Sequence, residues 1–186
     1  MNRKIISLSA ALMLASVLSC QQYVTYFDTL PDFKAPPDKA LCFVLSVEGN
    51  FNELVPLYID GVLSGATFDT SVTVIEVPQG EHFFTAVLDN QATVRLNFVA
   101  GKCYYLKMGT LEVPMFDGVK MGLISEAQAQ DIVHSLGKSI KHVKLNSGVT
   151  LDDFNAKEYR EEVNEYLEWA KENPKDAKMQ SEYPGY

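Results

Sequence analysis

The side chains that could do chemistry are few, and their spacing favours no catalytic site. The cysteines and histidines are Cys20, Cys42, Cys103, His82, His134 and His142. None of them has the spacing of a metal site, and the chain has no HExxH, CxxC, Gly-x-Ser-x-Gly, P-loop or GxGxxG pattern. His82 follows a turn glycine, where a structural or surface histidine is expected. We therefore predict no catalytic residues, no metal ion and no cofactor.

Cys20 is the cysteine with the clearest role, because it ends an export signal. A short cationic region, Asn2-Arg3-Lys4, precedes a mostly apolar run from Ile5 to Leu18 that is too short to span a bilayer comfortably. Val17-Leu18-Ser19-Cys20 then resembles a bacterial lipobox, in which the cysteine is diacylated and becomes the mature N-terminus. We predict a lipoprotein signal peptide over residues 1–19 and a stable membrane anchor on Cys20, since two or three acyl chains hold a protein where one does not. The alternative is an ordinary secretory signal cleaved near Ser19.

The charge of the mature chain restricts its partners. Without Arg3 and Lys4, 14 of the 16 Lys and Arg residues remain against 24 Asp and Glu, a formal net charge of −10. Nucleic acid is therefore not an expected partner, because its binding depends on clustered Lys and Arg. Gln21 follows the predicted lipidated cysteine, where lipoproteins retained at the inner membrane of enteric-type bacteria have Asp, and by that resemblance the outer membrane is favoured. We expect the protein in the bacterial cell envelope, on the periplasmic or surface side, with the membrane and an envelope protein or cell-wall glycan as partners.

Residues 40–145 have the pattern of short antiparallel strands. Apolar and polar types alternate, and Asp60-Gly61 and Pro78-Gln79-Gly80-Glu81 mark tight turns. The predicted strands are 40–47, 54–59, 62–66, 71–77, 82–89, 92–98, 103–108 and 140–145. The fold class is therefore mainly β: a single antiparallel β-sandwich of about seven to eight strands with one short and one longer C-terminal α-helix.

Three further segments flank or interrupt this domain. Residues 20–39 carry three prolines and several aromatic residues, which predicts a tether of which part packs on the domain as an edge segment. Ser125 and Gln128 form a capping-box pattern before a short helix over 126–136. Residues 146–186 are predicted to form a helix over 156–172, which Pro174 stops, and a polar tail.

Turn residues of the domain resemble those of PEGA-type surface domains. Leu57-Tyr58-Ile59-Asp60-Gly61 followed by Pro78-Gln79-Gly80-Glu81-His82 is similar to the hairpin and turn of that repeat. Ala100-Gly101-Lys102-Cys103-Tyr104-Tyr105 is similar to the start of the last core strand in uncharacterised bacterial lipoprotein domains of this layout. The resemblance covers about residues 40–145 and implies an envelope-located β-sandwich without established catalytic residues. Cys103 departs from the family pattern.

Cys42 and Cys103 remain as a pair if Cys20 is lipidated, and two interpretations of them stay open. Outside the cytoplasm they could form a disulfide, which would close a long loop and contribute about 3–4 kcal/mol in the chain-entropy model. They could instead be two separate buried thiols that behave as small hydrophobic side chains.

Aromatic residues supply the candidate binding surface. Adjacent strand residues face opposite ways, so one member of Phe83-Phe84 and one of Tyr104-Tyr105 should point outward. Exposed Phe84 or Tyr105 could stack on sugars or meet a partner protein, unless the helices after Gly122 cover that face. Trp169 lies beside the apolar stripe of the C-terminal helix, which packs either on a partner or on its own domain.

The function predicted from these features is a lipid-anchored cell-envelope binding or adaptor module without catalytic activity that contacts envelope proteins. A carbohydrate- or peptidoglycan-binding lipoprotein is the alternative, and an envelope enzyme is a third.

Overall fold

The fold consists of two β-sheets and two α-helices. The computed structural model describes residues 22–30, 32–48, 54–88, 91–113, 116–150, 153 and 157–173, so the predicted signal peptide, Cys20 and the polar tail lie outside the described residues. The strands are β1 (Val24–Phe27), β2 (Ala40–Glu48), β3 (Val55–Ile59), β4 (Val62–Thr67), β5 (Ser71–Val77), β6 (Gly80–Val87), β7 (Gln91–Phe98), β8 (Cys103–Val113), β9 (Phe116–Ile124) and β10 (Lys141–Leu145). The helices are α1 (Glu126–Leu136) and α2 (Lys157–Glu172), and a short 3₁₀-helix (Gly137–Ser139) follows α1.

The mainly β prediction is confirmed, but the sheets are not purely antiparallel. A six-stranded sheet has the order β1-β10-β5-β2-β8-β9, and a four-stranded sheet has the order β4-β3-β6-β7. In the larger sheet β10 pairs with β5, and β2 with β8, in parallel. All eight predicted strands exist. β1 and β9 were not among them, so the described part of the chain has ten strands. The sequence did not predict β9 because Gly118 and Gly122 interrupt its alternation.

A core of side chains from both sheets gives the fold its sandwich-like arrangement. The six-stranded sheet contributes Val44, Tyr104 and Leu106 to one buried cluster, and the four-stranded sheet contributes Leu57 and Phe84 to the same cluster. Residues at alternate strand positions therefore meet between the sheets, as the period-2 pattern indicated.

A second buried cluster lies on the outer face of the six-stranded sheet. Phe43 and Tyr105 pack there against Phe33 and against Ala129 of α1. The predicted capping box is present at the start of α1, because the Gln128 N–H donates to Ser125 Oγ over 3.2 Å and the Ser125 N–H donates to Gln128 Oε1 over 2.8 Å. This cap fixes the start of the helix that covers the sheet.

The segment predicted as a tether, residues 20–39, is built into the domain over much of its length. β1 is the expected edge segment and pairs antiparallel with β10, from Val24 opposite Leu145 to Phe27 opposite His142. The Phe33 ring stacks on Phe43 with 4.7 Å between the ring centroids. Apolar side chains in this segment pack on the sheet because burial removes their surface from water, and the prolines do not prevent it.

The apolar stripe of helix α2 was predicted to pack either on a partner or on its own domain, and it packs on its own domain. Leu167 is buried, and a Cβ built at Gly61 would lie 3.3 Å from its Cδ1 atom and 3.0 Å from Asn164 Oδ1. The helix therefore lies against the β3–β4 turn. In the part of the chain that the structure describes, neither helix has the length and apolar character needed to cross a membrane.

Candidate binding groove

The predicted aromatic binding surface is wrong for two of its three residues. Tyr105 and Phe84 are both fully buried. Phe84 points between the sheets, and Tyr105 points to the outer face that α1 and Phe33 cover. Trp169 alone of the three is exposed, at 43%. Hydrophobic burial in two separate clusters therefore accounts for both members of the Tyr104-Tyr105 pair.

Cys42 and Cys103 are two free, buried thiols, the second of the two interpretations above. They lie on adjacent strands, but Cys42 is opposite Tyr104 and Leu41 is opposite Cys103. This offset of one residue directs Cys42 between the sheets and Cys103 to the outer face. Burial raises the pKa of both thiols, so neither is a reactive thiolate.

Asp60 and His82 form the one His–carboxylate pair among the described residues with hydrogen-bond geometry. His82 Nδ1 lies 2.6 Å from Asp60 Oδ2, and the Phe83 N–H donates to Asp60 Oδ1 over 2.9 Å. The Asp60 N–H in turn donates to the Phe83 carbonyl over 2.9 Å. Within the described residues, His82 Nε2 has no hydrogen-bond partner, so no hydroxyl or thiol is placed for activation. The pair joins the β3–β4 turn to the start of β6.

The described residues do contain an open groove at the edge of the sandwich, with a volume of about 520 Å³. Side chains of β5, β4 and β10 line it, together with one residue of β2. They are Leu41, Ser64, Gly65, Thr73, Val74, Ile75, Glu76, His142, Lys144 and Leu145. We call this cavity the edge groove. The sequence predicted its strands but not the groove.

The edge groove exists because β5 loses a neighbour halfway along its length. β10 pairs with β5 from Ser71 to Thr73, and then continues alongside β1 instead. β2 pairs with β5 all the way to Val77. Within the described residues, the stretch 74–77 therefore has a strand on one side and none on the other. We call that free side the open edge.

Main-chain hydrogen-bonding groups of β5 face the open edge. The Lys141 N–H donates to the Thr70 carbonyl over 3.1 Å, which shows that Thr70 directs its main-chain groups toward β10. Because these groups alternate sides along a strand, Glu76 directs its main-chain groups the same way, past the point where β10 pairing ends. An unpaired edge of this kind can accept another extended chain.

One wall of the edge groove is the rim of the four-stranded sheet. The Thr73 hydroxyl donates to the Ala66 carbonyl over 2.8 Å, and this bond holds β4 against β5. Gly65 permits the close approach, because a Cβ there would lie 2.8 Å from Ile75 Cδ1. The edge groove thus has two fixed sides, formed by strands of different sheets.

The charge in the edge groove is positive. Lys144 is exposed and has no ion-pair partner among the residues that the structure describes. Glu76 is neutralised by an ion pair with Lys39. Burial and the charge of Lys144 lower the pKa of His142, so His142 is neutral at pH 7 and Lys144 supplies the cation. A carboxylate on a bound chain would therefore be attracted to Lys144.

Comparison with known proteins finds no matching family model, no matching curated protein and no matching solved structure. In the described ranges, no group of three or more His, Cys, Asp and Glu side chains is arranged to hold a metal ion.

Proposed function

We propose that the protein is a lipid-anchored binding or adaptor module of the bacterial cell envelope, without catalytic activity of its own. It binds an extended segment of an envelope protein in the edge groove, and the segment adds as a strand to the open edge of β5. Cys20 carries the lipid, and the chain is held at the membrane, with the outer membrane favoured.

The observation that carries the proposal is the open edge beside a groove of about 520 Å³. Strand addition would use the main-chain groups of Glu76. Alternate side chains of the added strand would then lie against Leu41 and Val74 on the outer face and against Ile75 on the inner face. Lys144 favours a segment that carries an acidic residue opposite the Lys144 side chain. The burial of Phe84 and Tyr105 leaves Trp169 as the one exposed residue of the three predicted for an aromatic binding surface, which favours the groove over sugar stacking on a sheet face.

The test is site-specific photocrosslinking in cells from position 144, at the rim of the edge groove. Lys138 is the matched control position, since it is also an exposed lysine and lies in the 3₁₀-helix before β10. We expect a crosslinker at position 144 to capture one envelope protein through a single short stretch of its sequence. The same crosslinker at position 138 should not capture it.

Two substitutions at Glu76 make the test specific for strand addition. Glu76→Pro removes the N–H that faces the open edge without removing a bond to β2, whereas Glu76→Ala keeps that N–H. Both variants lose the ion pair to Lys39, so they differ from each other in whether residue 76 has a main-chain N–H donor. We expect Glu76→Pro to abolish the crosslink and Glu76→Ala to retain it. Equal crosslinking in the two variants, or capture of glycan strands in place of a protein segment, would refute the proposed mode of binding.

A further inference from the structure

The link between the predicted lipid and the folded domain is very short. Asn146 holds the first described residues, because its Nδ2 donates to the Gln22 carbonyl over 3.1 Å and its N–H donates to the Tyr23 carbonyl over 2.9 Å. β1 begins at Val24. Two residue steps separate Cys20 from Gln22, and an extended chain covers at most about 7 Å in that distance.

Strand pairing identifies which end of the sandwich carries this link. Val24 is opposite Leu145, the last residue of β10, and β10 runs parallel to β5, which ends at Val77. Val77 is opposite Ala40 at the start of β2, which runs parallel to β8. The start of β1 and the β7–β8 turn therefore lie at the same end, which we call the anchored end.

Two exposed residues of the β7–β8 turn, at the anchored end, suit a membrane interface. Val99, in the β7–β8 turn, is 43% exposed, and the neighbouring Lys102 is exposed without an ion pair among the described residues. The turn is fixed, because the Gly101 N–H donates to the Lys39 carbonyl over 2.8 Å and the Leu41 N–H donates to the Lys102 carbonyl over 3.0 Å. An exposed apolar side chain beside a lysine matches the boundary between acyl chains and anionic headgroups.

We infer that the short link holds the anchored end against the headgroups of the membrane into which the Cys20 lipid inserts, with Val99 and Lys102 in contact with it. This inference depends on the lipid anchor of the proposed function. The partner of the interface is the lipid surface itself. Because Glu76 and Lys144 also lie toward this end, a segment bound in the edge groove must run close to the membrane.

The test is fluorescence quenching in vesicles with the full mature lipoprotein. Val99→Cys and Ser139→Cys each place one exposed thiol to which a fluorophore can be attached. Ser139 lies beyond the far end of β5, roughly 20 Å from the anchored end at ~3.3 Å per strand residue. The buried Cys42 and Cys103 should label slowly, and the parent protein measures that background. The vesicles contain phosphatidylethanolamine, phosphatidylglycerol and a phospholipid with a spin-labelled headgroup. We expect quenching at position 99 to exceed quenching at position 139 several-fold.

A second variant tests the length of the link. A 12-residue Gly-Ser insertion between Gln21 and Gln22 should abolish the difference between the two positions, because the domain can then leave the surface. Equal quenching without the insertion, or a difference that survives it, would overturn the inference. Mass spectrometry of each preparation reports whether Cys20 carries lipid. If Cys20 carries no lipid, both the anchor and this inference are refuted. If the lipid is present and quenching is equal at the two positions, this inference alone is refuted, and the crosslinking result in the edge groove is unaffected.

Discussion

Two buried tyrosines differ in the partners of their hydroxyl groups, so the same substitution should affect them differently. The Tyr104 hydroxyl donates to the Asn97 carbonyl and accepts from the Val99 N–H, each over 3.0 Å. The Tyr58 hydroxyl is buried without a hydrogen-bond partner among the described residues. Replacement by Phe removes one oxygen from each site and leaves the ring in place.

The expected free energies follow from these contacts. Tyr104→Phe loses two hydrogen bonds and leaves a main-chain donor and acceptor without that partner, which should lower the free energy of unfolding by about 1–3 kcal/mol. Tyr58→Phe removes a buried group that no bond compensates, so stability should be unchanged or rise by about 1–2 kcal/mol. The ring of Tyr104, 4.7 Å from that of Phe98, keeps its packing in the variant.

Equilibrium unfolding in urea measures both variants against the parent. With a slope of about 2 kcal/mol per molar urea, a loss of about 2 kcal/mol lowers the midpoint by about 1 M. The slope itself should not change, because the surface buried on folding is the same. Equal midpoints for the two variants would refute the assignment of the Tyr104 hydrogen bonds, and so would a larger loss for Tyr58→Phe.

Three further results are expected. In a Cys20→Ser form treated without reductant, an alkylating reagent should modify both Cys42 and Cys103 in denaturant and neither of them rapidly in the native state. If both thiols are protected in denaturant, they form a disulfide instead. Tyr105→Ser should lower stability by about 3–5 kcal/mol, measured by thermal unfolding, because the ring is fully buried, and a loss below about 1 kcal/mol would contradict that burial. Burial raises the pKa of Tyr58 to about 12 from 10.0, so the folded state keeps a proton that the unfolded state loses above pH 10. Stability should therefore be complete below pH 10 and fall as the pH rises to about 12, and urea midpoints in Tyr58→Phe should show a smaller fall.

Local sequence signals predicted local structure well. The Asp60-Gly61 turn has positive φ at both residues, 50° and 77°, as a two-residue hairpin turn of this type requires. Helix α1 spans 126–136, as the capping box and the apolar spacing indicated. These features depend on residues a few positions apart, so they can be inferred without the tertiary structure.

Features that depend on distant residues could not be predicted in this way. The burial of Tyr105 requires Phe33 and α1, which come from opposite sides of it in the sequence. The edge groove depends on where β10 stops pairing with β5, and no residue type in β5 marks Thr73 as that point. The alternating stretch 140–145 contains both Lys141 and Lys144, and only the structure shows that Lys141 pairs with Asp28 while Lys144 lines the groove.

The pairing of β1 with β10 also restricts the order in which the protein can fold. The side chain of Thr25 contacts that of Asn146, 121 residues later, and in the described part of the chain β1 reaches the rest of its sheet only through β10. A chain made from its N-terminus therefore produces β1 long before its partner, and the six-stranded sheet cannot close until nearly the whole domain is available. Until then β1 and the β10-facing side of β5 lack their partner strand, so a chaperone that covers unpaired strand edges would act during this interval.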